Sequence, residues 1–446
     1  MKTRQYLLLL LAFWLPQHAA NADEATRTID REALSRPMTG ISNADMERFR
    51  RGRSLFRQSW VISPAKDLAV DGLGPLYNRL ACISCHAKNG RGGAPEKPEE
   101  RMQSMLVRLS VPGRNANGGP LPHPAYGDQL NEEGIPGVPG EGRAHLVWQT
   151  SYAQLADGRR IALRSPKASF SALAYGKLGP VLVSLRVSPH VAGLGLLDAI
   201  PEATLEALAA EQKPDGVRGT VNRVINRNTG ERVAGRFGLK ANMPSLRQQI
   251  AGAFVGDMGI TSPLFPEENC TSAQHACRQA ESGGTPELSG EQLGDIEFYL
   301  AHLAAPARRE ADNPGVRSGS VVFERLGCPV CHRPALVTGQ HAEYGLLSNK
   351  KIAPYTDLLL HDMGKALADG RPDHLASGRQ WRTAPLWGLG ALTAINENTG
   401  FLHDGRARTQ EEAILWHGGE ARAARLRYVA APKKDRDALM SFLASL

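Results

Sequence analysis

After its first fifteen residues the chain has no apolar run that approaches membrane-spanning length, which takes about 20 such residues. Nor does it have a basic run interleaved with aromatics. Aromatic residues make up 6% of the 446, and the 53 Lys and Arg are scattered, which argues against nucleic acid as a partner. Cysteine is scarce too: there are six, and four of them fall in two short motifs. The rest of the composition, 42% hydrophobic and 22% charged, is that of an ordinary soluble globular protein. A chain of this length is expected to hold two or three domains, each with its own core.

The one apolar run, Tyr6 to Leu15, follows Lys2 and Arg4 and precedes Ala20-Asn21-Ala22. That order reads as a secretory signal cleaved near Ala22, or else as an uncleaved anchor. The mature protein is expected to be periplasmic, with no transmembrane segment. Cleavage removes Lys2 and Arg4 and no acid, so the formal charge falls from +8 to +6. A diffuse positive surface suits an acidic redox partner, a small redox protein or another electron donor or acceptor.

The two motifs are Cys82-Ile83-Ser84-Cys85-His86 and Cys328-Pro329-Val330-Cys331-His332. Cys-x-x-Cys-His is the attachment signature of c-type haem. Two thiols three residues apart reach the vinyl groups of one porphyrin, and the adjacent histidine supplies the proximal nitrogen to iron. A zinc ribbon would use the four thiolates together, and a thioredoxin-like pair has no use for the histidine. Two covalently attached haem c groups are therefore expected, with His86 and His332 as proximal ligands. Cys270 and Cys277, close together in an exported chain, are expected to form a disulfide; free thiols or a redox-active pair are the alternatives.

Helical spacing after Asn43-Ala44-Asp45 predicts a helix containing Gly52-Arg53-Ser54-Leu55-Phe56. The pattern recurs as Gly319-Ser320-Val321-Val322-Phe323, just ahead of Cys328. In small cytochromes c such a glycine lets the first and last helices cross closely. The matching closing helices are 295–303 and 437–446, both amphipathic. Between these elements the first half carries insertions. Residues 110–145 are rich in Gly, Pro and Asn and read as a long excursion suited to cover a haem, and 146–186 read as short strands. The predicted organisation is a signal at 1–22, an N-terminal c-type haem domain at 23–304, a linker at 305–318 and a C-terminal haem domain at 319–446. The predicted fold class is mainly α: two cytochrome-c-like domains, the first enlarged by loop and short-strand insertions.

Several long blocks then resemble one family. GLGLLDAIPE (193–202), GRFGLKANMPSLRQQIAGAFVGDMGITS (235–262), PYTDLLLHDMG (354–364), WRTAPLWGLG (381–390) and FLHDGRARTQEEAILWHGGEA (401–421) look like the bacterial di-haem oxidoreductases, a group also described as di-haem peroxidases or thiol oxidoreductases. FLHDGRARTQEEA is more distantly similar to the corresponding loop of bacterial cytochrome c peroxidases. The resemblance implies two haem domains facing each other, one iron exchanging electrons and the other meeting an oxidant. Two features of the peroxidases are absent. The block Ala253 to Met258 has no tryptophan, and residues 87–122 contain no histidine.

For the second iron, His417 is the favoured sixth ligand: Thr409 and Glu412 form a capping box, and Gly418-Gly419 stops the helix straight after it. Peroxidases place a ligand methionine here. The alternative is a cationic histidine satisfying a helix C-terminus. For the first iron the candidates are Met102, Met105, Met258 and His123, or an open position. His361, Asp362, His403 and Asp404 are expected around the second haem. Arg382, Arg406 and Arg408 are candidates for propionate pairing, and Trp381, Trp387 and Trp416 for an electron path. The expected function is that of a periplasmic di-haem c-type oxidoreductase, coupling inter-haem electron transfer to peroxide reduction or substrate oxidation at the more open first haem. The alternatives are a non-catalytic di-haem electron carrier and thiol oxidation through Cys270 and Cys277.

Overall fold

The computed structural model describes residues 31–446, so the export signal expected at 1–22 lies outside the described residues. Helix α1, Asn43–Arg57, begins where Ser42 Oγ accepts the Asp45 amide at 3.1 Å, a cap for one of the free amides of the first turn. It crosses a later helix, Gly290–Ala301, at Gly52. A Cβ on Gly52 would lie 1.9 Å from the Asp295 carbonyl oxygen, so only glycine permits the approach. Phe56 packs on Tyr299 beside this crossing, with ring centroids 5.5 Å apart.

The second half repeats the device. Helix Pro314–Arg325 crosses helix Lys433–Ser445 at Gly319, whose Cβ would meet the Ala438 carbonyl at 2.0 Å. Phe323 then packs on Phe442 at 5.1 Å. The glycine and aromatic of the repeated pattern thus do the same work in both halves.

The mainly α expectation fails. The chain is 31% helix and 19% strand, with several small sheets, and is not a mainly α cytochrome-c-like fold. The long strands lie in the first half, and the second half has only short pairs such as Leu360–Asp362 with Gln380–Arg382. Strand β1, Met105–Arg114, pairs antiparallel with β4, Leu182–Val187, in register Met105↔Val187. Between them, β2 (Arg143–Gln154) and β3 (Arg160–Ser171) form a hairpin paired along its whole length. Strand alternation sends Met105, Val107, Leu109, Leu185 and Val187 into a core of their own with Tyr126 and Leu146. The opposite face offers Leu106, Arg108 and Arg186 to the central cavity.

The hairpin tip reaches the C-terminal helices. Ala156 donates to Val429 O at 3.1 Å, Arg159 pairs with Glu411 at 2.7 Å, and buried Arg436 pairs with Asp157. Leu155 and Leu163 join the apolar cluster of Phe323 and Phe442. Residues 110–145 do not cover the cavity, since none of them lines it. They are fastened on the outside by Asn78 Nδ2 to Asn131 Oδ1 at 2.7 Å and by Gln274 Nε2 to Glu141 at 2.5 Å. Cys270 and Cys277 are disulfide-bonded next to this excursion, Cys277 packing with Leu76 and Val138. Among the described residues no helix is long and apolar enough to cross a membrane.

Candidate functional site

Both motifs open with a 3-10 turn, Cys82–Ser84 and Cys328–Val330, and in each the histidine amide donates to the first cysteine's carbonyl at 3.0 Å. The ring orientations match as well. His86 Nδ1 lies 2.7 Å from Pro189 O, and His332 Nδ1 lies 2.9 Å from Tyr355 O. A carbonyl can only accept, so Nδ1 carries the proton in both rings and Nε2 keeps a free lone pair, the arrangement of a metal-binding imidazole. Burial pushes both rings down to about 4, which keeps them neutral. Burial also pushes Cys82, Cys85 and Cys328 up to about 12.

One continuous cavity is lined by both motifs. His417 lies on it. Its helix, α5 in a count that takes Leu246–Met258 as α2, Gly290–Ala301 as α3 and Pro314–Arg325 as α4, spans Gln410–Trp416 and is capped by Thr409 Oγ1, which accepts the Glu412 amide at 3.1 Å. His417 Nδ1 donates to Ala413 O at 2.7 Å, so this ring too presents a free Nε2. Burial lowers its pKa, its charge bears on His332, and the bond to Ala413 O also satisfies a carbonyl at the end of the helix.

The first-motif candidates separate cleanly. Met102 and Met105 belong to the sheet core and do not line the cavity. His123 has both nitrogens engaged, Nε2 with Leu178 O at 2.9 Å and Nδ1 accepting the Ala125 amide at 3.1 Å. Met258 does line the cavity, from the end of α2, and its side chain is part of the main core.

Around the second motif His361 has no free nitrogen: Asp357 is 2.9 Å from Nε2 and Glu420 2.7 Å from Nδ1. Asp362 turns to Arg379 at 3.2 Å. His403 stacks on Trp381 at 3.7 Å. Arg406 forks onto Asp404, with Nη2 to Oδ2 at 2.6 Å, and Arg408 pairs with Glu412. Both arginines are therefore spent on the chain's own carboxylates. Trp381 and Trp387 line the cavity, whereas Trp416 lies under the Arg406 guanidinium at 4.7 Å.

Arg382 behaves differently. It lines the cavity, gives Nε to Gly238 O at 3.0 Å and Nη1 to Thr383 O at 3.2 Å, and touches no carboxylate. Two residues not singled out in the sequence join it. Arg91 is held only by the Gly400 and Leu402 carbonyls, and His190 has a buried Nδ1 with no partner. Burial lowers Arg91 and Arg382 to about 10 and His190 to about 4, where Arg91, His86 and Arg382 add to it. Buried cations without a counter-charge are costly, and these donors fit the carboxylates at the edge of a porphyrin. The buried, unpartnered Nε1 of Trp387 on the same cavity fits them as well. The local signal for Arg91 was its position in the Asn89-Gly90-Arg91 loop straight after His86; for His190 there was none.

The family described as "Di-haem oxidoreductase, putative peroxidase" matches residues 22–446. No curated protein and no solved structure matches the chain.

Proposed function

That the chain belongs to the di-haem oxidoreductase family is the premise from which we propose its reaction: two-electron reduction of hydrogen peroxide, or oxidation of a substrate, at the first of two haems. In this reading both groups are haem c, bonded through Cys82 and Cys85 and through Cys328 and Cys331. His86 and His332 are the proximal ligands. His417 would be a further ligand to the second iron, and the first iron would be left open to a small molecule. The protein works in the periplasm and is reduced by a small redox protein.

The observation that carries this reading is an asymmetry. Three cavity histidines have Nδ1 pinned to a backbone carbonyl and Nε2 free, one at the first motif and two at the second. When bound, the haems supply one-electron couples and one accessible iron position. The chain's residues do the rest. The carbonyls of Pro189, Tyr355 and Ala413 set the imidazole tautomers and orient the rings. Arg91, Arg382 and His190 hold propionates between the motifs. The apolar face of α2, with Ile250 and Phe254 on the cavity, keeps bulk water off the first site.

The test is peroxide-dependent oxidation of a reduced small cytochrome or cupredoxin by protein matured with both haems. Catalytic turnover is expected. If the haems accept electrons from the donor and peroxide draws none out, the protein is an electron carrier.

A further inference from the structure

The hairpin of β2 and β3 has two outer edges, and the chain treats them differently. Bonds to neighbouring elements show which residues face outward. Ala162 O accepts Arg408 Nη2 at 2.9 Å, and Ala144 N donates to Glu132 at 3.0 Å. Leu155 N instead donates inward, to Arg159 O at 2.9 Å. Tyr152 lies opposite Ala162, and Ala144 opposite Phe170. The even-numbered residues of both strands therefore point their N–H and C=O groups away from the hairpin.

The outer edge of β3 is closed. Arg408 takes Ala162 O, and Arg164 reaches Arg406 O at 3.3 Å and Gly405 O at 3.5 Å. Pro166 stands at an outward position with no N–H to offer. The outer edge of β2 is closed only at its start, where Glu132 takes the Ala144 amide and Trp148 Nε1 donates to Pro95 O at 2.9 Å. Beyond that point, among the described residues, the outward backbone groups of Thr150, Tyr152 and Gln154 have no hydrogen bond. Gln149, Thr150, Ser151 and Tyr152 are all exposed, and the stretch from Val147 to Ala156 has neither a charge nor a proline. Exposed edges are normally blunted by Pro, Lys, a bulge or a covering loop, because an open ladder pairs with the strand it meets. From Thr150 onward β2 has none of these.

We propose that this edge binds a second copy of the chain, by antiparallel strand addition about a two-fold axis at Ser151. The register follows from the outward positions, since ladder hydrogen bonds need outward residues opposite one another. An axis at Ser151 sets Thr150 against Tyr152 of the other copy, and Trp148 against Gln154. The Thr–Tyr contact is an aromatic–β-branched pair, a kind that stabilises sheets. An axis at Gln149 would push the second copy onto the covered start of the strand. An axis at Ala153 would need Ala156, whose amide is already given to Val429 O at 3.1 Å. Because the stretch is uncharged, two copies meet there without the repulsion that a chain of formal charge +8 sets up elsewhere. The two hairpins then form one four-stranded antiparallel sheet across the pair. The contact is short, so the dimer is a reversible one.

Sedimentation equilibrium of the protein matured with both haems is expected to show monomer at roughly 1 μM and dimer at roughly 100 μM. Ser151→Lys sets two ammonium groups against each other at the axis. It should keep the protein monomeric over that range, with two haems per chain and an unchanged visible spectrum. Ser151→Cys gives the opposite arm. The residue faces its own copy in a non-hydrogen-bonded pair, where Cα atoms lie about 4.5 Å apart, within reach of a disulfide. Mild oxidation should therefore yield a covalent dimer, whereas Gln149→Cys, set against Ala153, should yield several-fold less. A wild type still monomeric at about 100 μM, a dimer that survives Ser151→Lys, or equal cross-linking of the two cysteine variants would overturn the proposal.

Discussion

Among single side chains, the His361 cluster ties the second motif to the chain around it. Burial alone would lower His361, but Asp357, Cys331 and Glu420 outweigh it and hold the ring up at about 12. Glu420 answers in kind. Burial would raise it, yet His361 and the amides of Arg218 and Asp362 bring it down to about 2. The signs fix the windows. The Glu420 contribution is present above its ordinary 4.5 and is lost as pH falls through about 2. The His361 contribution is full below its ordinary 6.5 and is lost as pH rises through about 12. Thermal melts should therefore show the gap in Tm between wild type and Glu420→Gln at its widest above pH 4.5 and closing toward about 2. A gap that does not change with pH would contradict the pairing. Much of this residue scale was legible in the sequence. The helix end at His417 could be read because Thr409, Glu412 and Gly418 mark where that helix starts and stops. Arg406 was misread because the partner it forks onto, Asp404, looked like another member of the haem surroundings. Arg91 and His190 were missed because burial without a partner is a property of the folded cavity, and no local pattern records it.

At the scale of elements, the glycine crossings carry the most specific claim. Alanine would gain roughly 0.8–1 kcal/mol over glycine inside a free helix. At Gly319 the added methyl meets the Ala438 carbonyl at 2.0 Å, and overpacking against atoms that cannot move away costs about 1–3 kcal/mol, occasionally more. Because the obstacle is backbone, the cost should lie at the upper end and win. Gly319→Ala is expected to lower Tm in a melt of the oxidised protein. Gly290→Ala, where the methyl meets open space, should be neutral or stabilising, and equal Tm changes in the two variants would refute the crossing. These helices were readable because a Gly-x-x-x-Phe spacing places both residues on one face. The strands were not readable to the same degree. β2 exposes Val147 and Tyr152, so its alternation is weak, and β1 finds its partner β4 only across the whole intervening hairpin. Non-local pairing of this kind leaves little mark in any short window, which is why the chain looked mainly α.

At the scale of the whole molecule, one cavity is shared by two halves that repeat the same devices. Each half contributes a crossing helix pair, a Cys-x-x-Cys-His turn with its imidazole pinned to a carbonyl, and a Phe-x-x-Asp segment. In the second half His417 shares the cavity with His332, and Asp404 is locked by Arg406. Among the described residues of the first half no second histidine on the cavity is pinned in this way (His302, pinned to Phe298 O at 2.9 Å, does not line it), and Asp257 is left on the cavity. The hairpin of the first half clasps the helices of the second, so the two sites are held by a single scaffold. The central claim is that one iron is closed and the other open. The most direct test is the EPR spectrum of the fully oxidised protein with two haems per chain. The account predicts one low-spin and one high-spin ferric signal in equal amounts, with the low-spin signal lost in His417→Ala. Two low-spin signals, or a low-spin signal that survives His417→Ala unchanged, would contradict it.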